Sequence, residues 1–166
     1  YNSKHKKYFK KLFLKNTLKI TGGKTRQEST LIALKKIEKM SCKKVLIHDA
    51  ARPNSSQKLI NEIIKKLDKN DAVVPVIKSN DATKRIKKKL IFKNIKRDSL
   101  GFSQTPQGFN FNKIIEKHKK NINKTFDDDS ALFTVDEEKV LTVKGSKENI
   151  KITDQEDLDI FKSMKK

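Results

Sequence analysis

The sequence predicts an α/β fold, a three-layer domain built on a mostly parallel sheet. Residues 45–47 and 72–77 are short apolar runs with the β-branched character of buried strands. Segments with helical apolar spacing lie around these runs, so strand and helix units alternate along the chain. Residues 80–96 break this rhythm by alternating charged and apolar side chains, which predicts a β-hairpin arm that protrudes from the sheet.

The chain begins with two short predicted elements. Residues 1–15 have the pattern of an amphipathic surface helix, with apolar positions at Tyr8, Phe9, Leu12 and Phe13. Residues 18–21 are predicted to form a short strand. Gly22 and Gly23 then end this strand in a turn that permits positive φ.

A helix is predicted directly after the glycine turn. Thr25 and Glu28 have the spacing of a capping box at its start. The residues expected to face inward are Leu31, Ile32, Leu34 and Ile37. A glycine turn before a helix N-terminus can bind an anion or a base, although most such turns bind nothing.

The middle of the chain continues the alternation. Residues 55–57 can cap a helix that runs through Leu67, with a buried stripe of Leu59, Ile60, Ile63, Ile64 and Leu67. The hairpin of residues 80–96 is marginal in water by itself, and its apolar residues are Ile86, Leu90, Ile91, Phe92 and Ile95. We therefore expect a partner subunit to cover the hairpin.

Thr105 precedes a proline, which predicts extended backbone at this point. A helix is predicted at residues 111–118. Three carboxylates then come together at Asp127, Asp128 and Asp129. They favour a helix N-terminus through the helix dipole, and a metal contact is the less favoured alternative.

The chain ends with two strands and a helix. Residues 140–143 and 150–152 are the predicted strands. Thr153 and Glu156 again have capping-box spacing, which predicts that the last helix begins there.

Polar side chains follow the strand at residues 45–47. His48 and Asp49 come where the strand ends, Ala50 is small enough for a ligand to approach the backbone, and Arg52 lies in the departing loop. Ligands in open α/β sheets bind beyond the carboxyl ends of the strands, so Asp49 is well placed to hold a hydrated Mg²⁺ against phosphates. An aspartate in this position can equally cap the following helix, and the local pattern leaves both interpretations open.

The charge of the chain suggests an anionic partner. The formal net charge is +20, with 40 Lys and Arg residues against 20 acidic ones, and this balance is typical of nucleic-acid binding. Lysine is spread along nearly the whole chain, however, and the four arginines are Arg26, Arg52, Arg85 and Arg97. In such a background an arginine indicates a task that lysine performs poorly, such as bidentate phosphate binding.

Composition also limits the site chemistry and the location. The single cysteine, Cys42, excludes an internal disulfide framework, and the three histidines have no metal-ligand spacing. Carboxylates are therefore the expected metal donors. No apolar run is long enough to span a membrane and the N-terminus lacks a signal-peptide pattern, so we expect a cytoplasmic protein with no membrane partner.

Several motifs, taken together and in order, resemble one enzyme family. They are G-G-x-x-R-x-x-S from Gly22, H-D-A-A-R-P from His48, Arg97 followed by T-P-Q, D-D-x-S-A from Asp127, and G-S-x-x-N-I-K-I-T-x-x-E-D-L from Gly145. This combination resembles 2-C-methyl-D-erythritol 4-phosphate cytidylyltransferase of the non-mevalonate isoprenoid pathway. The resemblance implies a Rossmann-like homodimer whose hairpin arms reach into the neighbouring subunit. It also implies transfer of CMP from CTP to methylerythritol phosphate, with release of pyrophosphate and a requirement for Mg²⁺.

The resemblance assigns roles by position. Asp49 would be the Mg²⁺ and phosphate-side acid, and Lys151 would hold the substrate and the α-phosphate, so these two residues are the predicted catalytic pair. Residues expected to bind the substrate are Ala50, Arg52, Arg97 and Thr105, with Arg97 acting from across the dimer. Residues expected to bind the nucleotide are Gly22, Gly23, Lys24 and Ser29.

The sequence also departs from the family pattern. Family members begin with a strand and a Gly-rich loop that grips the triphosphate, and nothing here matches them. We therefore expect residues 1–166 to form a single nucleotidyltransferase domain that is incomplete at its N-terminus, with a dimerisation arm at about residues 80–104 and weak activity at most. Ala82 and Phe126 stand where the family has threonine, which affects expected substrate contacts. Some family members continue into a cyclodiphosphate synthase domain.

Two alternatives to this function remain. A cytidylyltransferase for another polyol phosphate, such as ribitol 5-phosphate, shares the closing motif from Asn149. A basic nucleic-acid-binding protein would explain the charge, but surface aromatic residues interleaved with the basic ones are missing from the pattern. We accordingly expect no specific nucleic-acid partner.

Overall fold

The computed structural model describes residues 1, 2, 4, 6–10 and 16–164, with side chains except those of residues 9 and 10. The helices are α1 (Lys6–Lys10), α2 (Arg26–Ile37), α3 (Gln57–Lys66), α4 (Phe111–Lys120), α5 (Ala131–Thr134) and α6 (Gln155–Ser163). The strands are β1 (Lys44–Ile47), β2 (Ala72–Lys78), β3 (Thr83–Lys87), β4 (Leu90–Ile95), β5 (Gly101–Ser103), β6 (Gln107–Asn110) and β7 (Leu141–Lys144). The chain divides into two compact units, the first made of residues 1–45 and 109–139 and the second of residues 46–108 and 140–166.

The main sheet is mixed. β2 pairs with β7 in parallel, with Val73 opposite Leu141, and with β5 in antiparallel, with Val76 opposite Ser103. β1 and β6, whose residues are divided between the two units, complete the strand order β1-β6-β2-β5. The α/β class predicted from the sequence is therefore confirmed, with an antiparallel strand within the sheet.

The core of the second unit lies between α3 and the sheet. The side chains of Leu59, Ile63, Leu67, Val73 and Val143 form one buried cluster. The Ser56 hydroxyl begins α3 by accepting a hydrogen bond from the backbone N–H of Leu59, at 3.2 Å. Gly108 lets β6 approach the helix, because a Cβ atom there would lie 2.4 Å from the Ile63 side chain. Among the predicted stripe, Ile64 is instead 39% exposed.

The first unit is built around α2 and α4. Both helices are capped as their sequences indicate, since the Thr25 hydroxyl accepts from the N–H of Glu28 and the Asn110 side chain accepts from the N–H of Asn112. Leu31 and Leu34 of α2 are buried, and α2 packs against α4. The predicted helix at residues 111–118 is thus confirmed and extends to Lys120.

The hairpin predicted at residues 80–96 is also confirmed. β3 and β4 pair only with each other, and the chain reverses at Lys88 and Lys89, which have φ values of 47° and 68°. Two consecutive residues with positive φ form a two-residue turn whose twist matches that of the flanking strands, although neither is a glycine. The arm exposes four large apolar side chains, Ile86, Leu90, Ile91 and Phe92.

Two predicted strands do not form. Residues 18–21 are irregular, and the backbone around them bonds to the start of the chain, where the N–H of Gly22 donates to the carbonyl of Tyr1 at 2.9 Å. Residues 150–152 are also irregular, and the N–H of Ile152 donates to the carbonyl of Ala51 at 2.8 Å. Apolar composition predicts burial in such short segments, but a strand also needs a neighbouring strand along its length.

Other local expectations change as well. The glycine turn has no positive φ, because the glycines of the described chain all have negative values. β1 is half-buried at all four residues instead of fully buried, in keeping with its place at the end of the strand order. The last helix begins one residue later than predicted, with Asp154 capping it by accepting from the N–H of Asp157 at 2.9 Å. In the predicted N-terminal helix, Lys6–Lys10 is helical, whereas Leu12 and Phe13 lie outside the described residues.

Candidate functional site

A tight turn follows β1 and carries the charged residues predicted from the sequence. The backbone N–H of Arg52 donates to the carbonyl of Asp49 at 2.9 Å, which closes the turn. Ala50 lies between them and is exposed. The turn therefore presents an acidic and a basic side chain at the carboxyl end of the strand, where ligands bind in open α/β sheets.

The Asp49 carboxylate faces two cations. Its Oδ2 atom lies 3.0 Å from Nζ of Lys151 and 3.9 Å from Nε of Arg52. The side chains of Asp49 and Lys151 are 28% and 48% exposed. Oδ1 of Asp49 has no hydrogen-bond partner among the residues that the structure describes. Both side chains of this ion pair are therefore partly open to solvent, and that of Lys151 is the more exposed.

Arg52 is the more buried of the two cations. Its Nη1 atom donates to the carbonyl of Asn149 at 2.7 Å, and its buried Nε atom has no hydrogen-bond partner in the described part of the chain. Burial lowers the pKa of the Arg52 guanidinium from its usual value, and the charge of Asp49 opposes that shift. The guanidinium stays protonated at neutral pH because its ordinary pKa is so high.

Asn149 holds the surrounding loops together and was not predicted as a site residue. Its side chain is fully buried, donates to the carbonyl of Thr105 at 2.8 Å and accepts from the Ser55 hydroxyl at 3.0 Å. Its own carbonyl also accepts from Gln104 and Arg52. The only sequence signal for this role is the place of Asn149 in the closing motif, because a buried hub of this kind depends on contacts between distant segments.

Thr105 and His48 connect the turn to the start of β6. The N–H of Asp49 donates to Oγ1 of Thr105 at 3.0 Å, and the same oxygen lies 3.0 Å from Nδ1 of His48. Nε2 of His48 lies 2.8 Å from the carbonyl oxygen of Arg52. The structure thus brings together five of the predicted site residues, Asp49, Ala50, Arg52, Thr105 and Lys151.

A cavity of about 410 Å³ lies beside this cluster. Its lining residues are Leu46, His48, Ala50, Arg52, Pro53, Ser55, Ile60 and Pro106. Arg52 lines this cavity, and Lys151 lies beside Asp49 in the same cluster, an arrangement that suits a ligand carrying phosphate groups.

The predicted nucleotide-binding residues lie in the first unit. Gly23 donates its N–H to the Ser29 hydroxyl at 3.0 Å, and that hydroxyl donates to the carbonyl of Thr25 at 2.8 Å. A Cβ atom on Gly22 would lie 2.6 Å from Oγ of Ser29, so this turn requires a residue without a side chain. Lys24 donates its N–H to the Glu28 carboxylate, and the residue is exposed.

Arg97 makes a contact of its own, apart from those of the cluster around Asp49. Its Nη1 atom donates to the carbonyl of Asn80 at 3.2 Å, at the base of the hairpin arm, and both residues are exposed. The guanidinium therefore bridges the two ends of the arm.

The three carboxylates of residues 127–129 have different roles. Asp128 accepts hydrogen bonds from the N–H of Ala131 and the hydroxyl of Ser130, so the capping interpretation is confirmed for this residue. Asp129 is buried, with Oδ1 2.9 Å from Nε2 of His118 and Oδ2 paired with Arg26. The described residues contain no group of three or more His, Cys, Asp or Glu side chains suited to a metal ion. None of the helices described is long and apolar enough to cross a bilayer.

Comparison with known proteins identifies the family. The family model described as IspD, 2-C-methyl-D-erythritol 4-phosphate cytidylyltransferase, matches residues 1–164. The chain belongs to the IspD family. This membership confirms the resemblance found in the motifs.

The relatives include proteins named as bifunctional IspD/IspF enzymes and others named as cytidylyltransferases. The chain is 45% identical over 157 residues to a bifunctional enzyme IspD/IspF from Pelagibacter ubique, covering 95% of this chain and 42% of that protein. It is 42% identical over 146 residues to a 2-C-methyl-D-erythritol 4-phosphate cytidylyltransferase from Prochlorococcus marinus, covering 86% of this chain and 65% of that protein. The chain therefore spans less than two thirds of these relatives.

Solved IspD structures share the fold. A 4-diphosphocytidyl-2C-methyl-D-erythritol synthase from Anaerococcus prevotii superposes with a TM-score of 0.88 at 32% identity, covering 99% of this chain and 79% of that one. The bifunctional IspDF from Campylobacter jejuni gives a TM-score of 0.78 at 32% identity, covering 93% and 39% of the two chains. The Rossmann-like architecture implied by the motifs is thus confirmed.

Proposed function

We propose that this protein transfers CMP from CTP to 2-C-methyl-D-erythritol 4-phosphate in isoprenoid precursor biosynthesis, giving CDP-methylerythritol and pyrophosphate. The observation that carries the proposal is the cluster of Asp49, Arg52 and Lys151 at the carboxyl end of β1, in a chain of the IspD family. The substrates are both phosphorylated, and the two cations of the cluster, Arg52 in the lining of the cavity and Lys151 beside Asp49, are suited to such ligands.

The reaction mainly requires the protein to position the substrates and to stabilise negative charge. The phosphate of the polyol attacks the α-phosphorus of CTP, the new phosphoanhydride bond forms, and pyrophosphate leaves with the electrons of the broken bond. Negative charge develops on the α-phosphate oxygens, and the ammonium of Lys151 and the guanidinium of Arg52 stabilise it. The attacking phosphate is already an anion, so no general base is essential.

Asp49 is suited to hold a magnesium ion. Mg²⁺ in phosphate-transfer sites takes one or two carboxylates together with substrate phosphates and waters. Asp49 provides one half-buried carboxylate whose Oδ1 atom lacks a hydrogen-bond partner among the described residues, and this fits such an ion. When bound, the ion would neutralise phosphate charge next to Lys151.

The base of CTP is assigned to the glycine turn. Gly22 and Gly23 have no side chains and are half-buried, Ser29 holds the turn by its hydroxyl, and Lys24 is exposed beside them. Backbone groups in such a turn can recognise the edge of a cytosine ring, as the family resemblance implies. Thr105 and Ala50 are assigned to the polyol phosphate on the same ground.

We also propose a homodimer formed through the hairpin arm. Leu90 is 72% exposed and Ile86 64% exposed, and a two-stranded arm is marginal without a partner surface. Arg97 lies at the base of the arm, so docking the arm on a neighbour would bring its guanidinium to the neighbour's phosphate site.

The arm is tested by two substitutions. Phe92→Asp should dissociate the dimer and raise KM for the polyol phosphate, because a charge would enter an apolar interface. Arg97→Lys should raise KM without dissociation, because a point charge replaces a bidentate fork. Light scattering and steady-state kinetics on each full-length variant are the measurements. A monomeric Phe92→Asp enzyme with normal KM would contradict the cross-subunit site.

The activity itself is tested by pyrophosphate release. The full-length protein is incubated with CTP and Mg²⁺ and either 2-C-methyl-D-erythritol 4-phosphate or ribitol 5-phosphate. We expect turnover with the former and little with the latter. A preference for ribitol 5-phosphate would overturn the proposed substrate, and Ala82 and Phe126, which replace family threonines, would then be the first positions to examine. We further expect residues 1–166 alone to release little pyrophosphate.

A further inference from the structure

We propose that His48 is a positioning residue for the reaction, which fixes the turn that carries Asp49 and Arg52. This inference rests on the proposed function and adds a role that the motif comparison did not assign. The observation behind it is that both ring nitrogens of His48 are engaged by the site, with Arg52 on one side and Thr105 on the other.

The directions of these hydrogen bonds follow from the groups involved. The partner of Nε2 is the carbonyl oxygen of Arg52, which can only accept, so Nε2 carries the hydrogen. In the neutral ring Nδ1 is then an acceptor, and the Thr105 hydroxyl donates to it across 3.0 Å. The Thr105 oxygen in turn accepts the N–H of Asp49. Each of the three contacts therefore has one donor and one acceptor.

This series of hydrogen bonds holds both ends of the turn that carries Asp49 and Arg52. His48 binds the carbonyl of Arg52 directly and reaches the N–H of Asp49 through Thr105. The turn between them is closed by a single backbone bond, from Arg52 to Asp49. Because the Asp49 carboxylate must face Lys151 at 3.0 Å, a shift of this turn would misplace the charges that stabilise the transferring phosphate.

The kinetic test compares two substitutions in one loop. His48→Phe keeps the ring and removes both hydrogen bonds, and we expect kcat to fall by about 10- to 100-fold, with a much smaller change in KM for either substrate. Asn54→Ala is the matched control, because it also removes a loop hydrogen bond, the one from Asn54 to the carbonyl of Glu148 at 3.1 Å. This bond is not one of those that connect His48 to Asp49 and Arg52. We expect the kcat of Asn54→Ala to stay close to that of the wild type.

A conservative variant separates positioning from general stability. His48→Gln offers an amide N–H and a carbonyl oxygen, so it should recover part of the kcat that His48→Phe loses. Thr105→Val interrupts the same chain, and its effect should not add to that of His48→Phe in the double variant. Full additivity of the two kcat losses would show that His48 and Thr105 do not act through the same series of hydrogen bonds.

A spectroscopic test does not depend on activity. Long-range ¹H–¹⁵N NMR of the full-length protein should show a single form of His48 with a hydrogen on Nε2, the signal being assigned by its loss in His48→Phe. Mixed tautomers at His48, or a His48→Phe enzyme as active as the wild type, would overturn the positioning role while leaving the proposed function intact. A wild-type protein without CMP transfer would instead overturn the proposed function.

Discussion

Two aspartates of this molecule, Asp129 in the first unit and Asp49 in the second, have similar partners and opposite accessibility. Each lies beside an arginine, and each is connected to a histidine, directly for Asp129 and through Thr105 for Asp49. Asp129 is 3% exposed and uses one oxygen for His118 and the other for Arg26. Asp49 is 28% exposed, and its Oδ2 atom lies 3.0 Å from Lys151 Nζ and 3.9 Å from Arg52 Nε.

This difference separates a carboxylate that supports the fold from one that can bind a ligand. Breaking a buried pair leaves an uncompensated charge in a low-dielectric interior, so Asp129 is tied to stability. The second oxygen of Asp49 has no partner among the described residues, so a ligand can bind it without first breaking an internal bond. Substitutions at the two sites should therefore affect different measurements.

The largest effect is expected from Asp49→Asn. Loss of the charged partner for Mg²⁺ and phosphate should reduce kcat/KM for CMP transfer by roughly 10²- to 10³-fold, while the melting temperature stays near that of the wild type. Steady-state kinetics with CTP and calorimetry on the full-length protein check both halves. A variant that loses melting temperature as well as activity would place Asp49 with Asp129 as a structural residue.

Asp129→Asn should show the reverse. We expect a loss of about 2–3 kcal/mol in the free energy of unfolding, less than for a fully buried pair because the Arg26 side chain is 39% exposed. Denaturant titration measures this loss, and kcat of the remaining folded enzyme should be close to normal. Wild-type stability in this variant would contradict the structural role of the pair.

Lys151→Ala should have a smaller effect on activity than Asp49→Asn. The ammonium is 48% exposed and shares the task of charge stabilisation with Arg52, so we expect kcat/KM to fall by about 10- to 100-fold. Lys151→Arg is the matched control, which keeps the charge and should retain more activity. Equal losses in the two variants would show that the shape of the ammonium matters more than its charge.

The smallest effect concerns acid stability. Hydrogen bonds from Lys117 and Lys120 hold the pKa of Asp136 below its usual value. A depressed pKa in the folded state contributes stability above the unfolded pKa, near 4, and that contribution is lost as the pH falls through the folded value. Asp136→Asn should therefore make the melting temperature less dependent on pH below about 4. An unchanged pH dependence of the melting temperature in this variant would contradict a contribution of the Asp136 carboxylate to stability.

Several expectations stay predictions. They include the single-domain organisation of residues 1–166, the cytoplasmic location, the absence of nucleic-acid and membrane partners, and the roles assigned to individual site residues. They are consistent with membership of the IspD family, but the chain spans only part of its relatives, and the tests above address the roles directly.

The sequence by itself determined the elements whose signals are local. Helix caps at Thr25 and Ser56 depend on residues three positions apart, and the hairpin arm depends on alternation and a tight turn, so both could be predicted. The position of Asp49 after a strand likewise predicted a charged site, because the carboxyl ends of strands place ligands in open sheets.

Only the tertiary structure decided which charged and polar residues are internal. The three neighbours Asp127, Asp128 and Asp129 look alike in sequence, yet Asp129 alone meets Arg26 and His118, the former 103 residues away. The role of Asn149 depends on its hydrogen bonds with Ser55, 94 residues earlier, and with Thr105. Residues 18–21 and 150–152 have strand composition, but neither segment pairs with a strand among the residues that the structure describes. Periodicity reports local preference, whereas ion pairs, buried hydrogen-bond hubs and sheet ladders require partners that only the folded chain brings together.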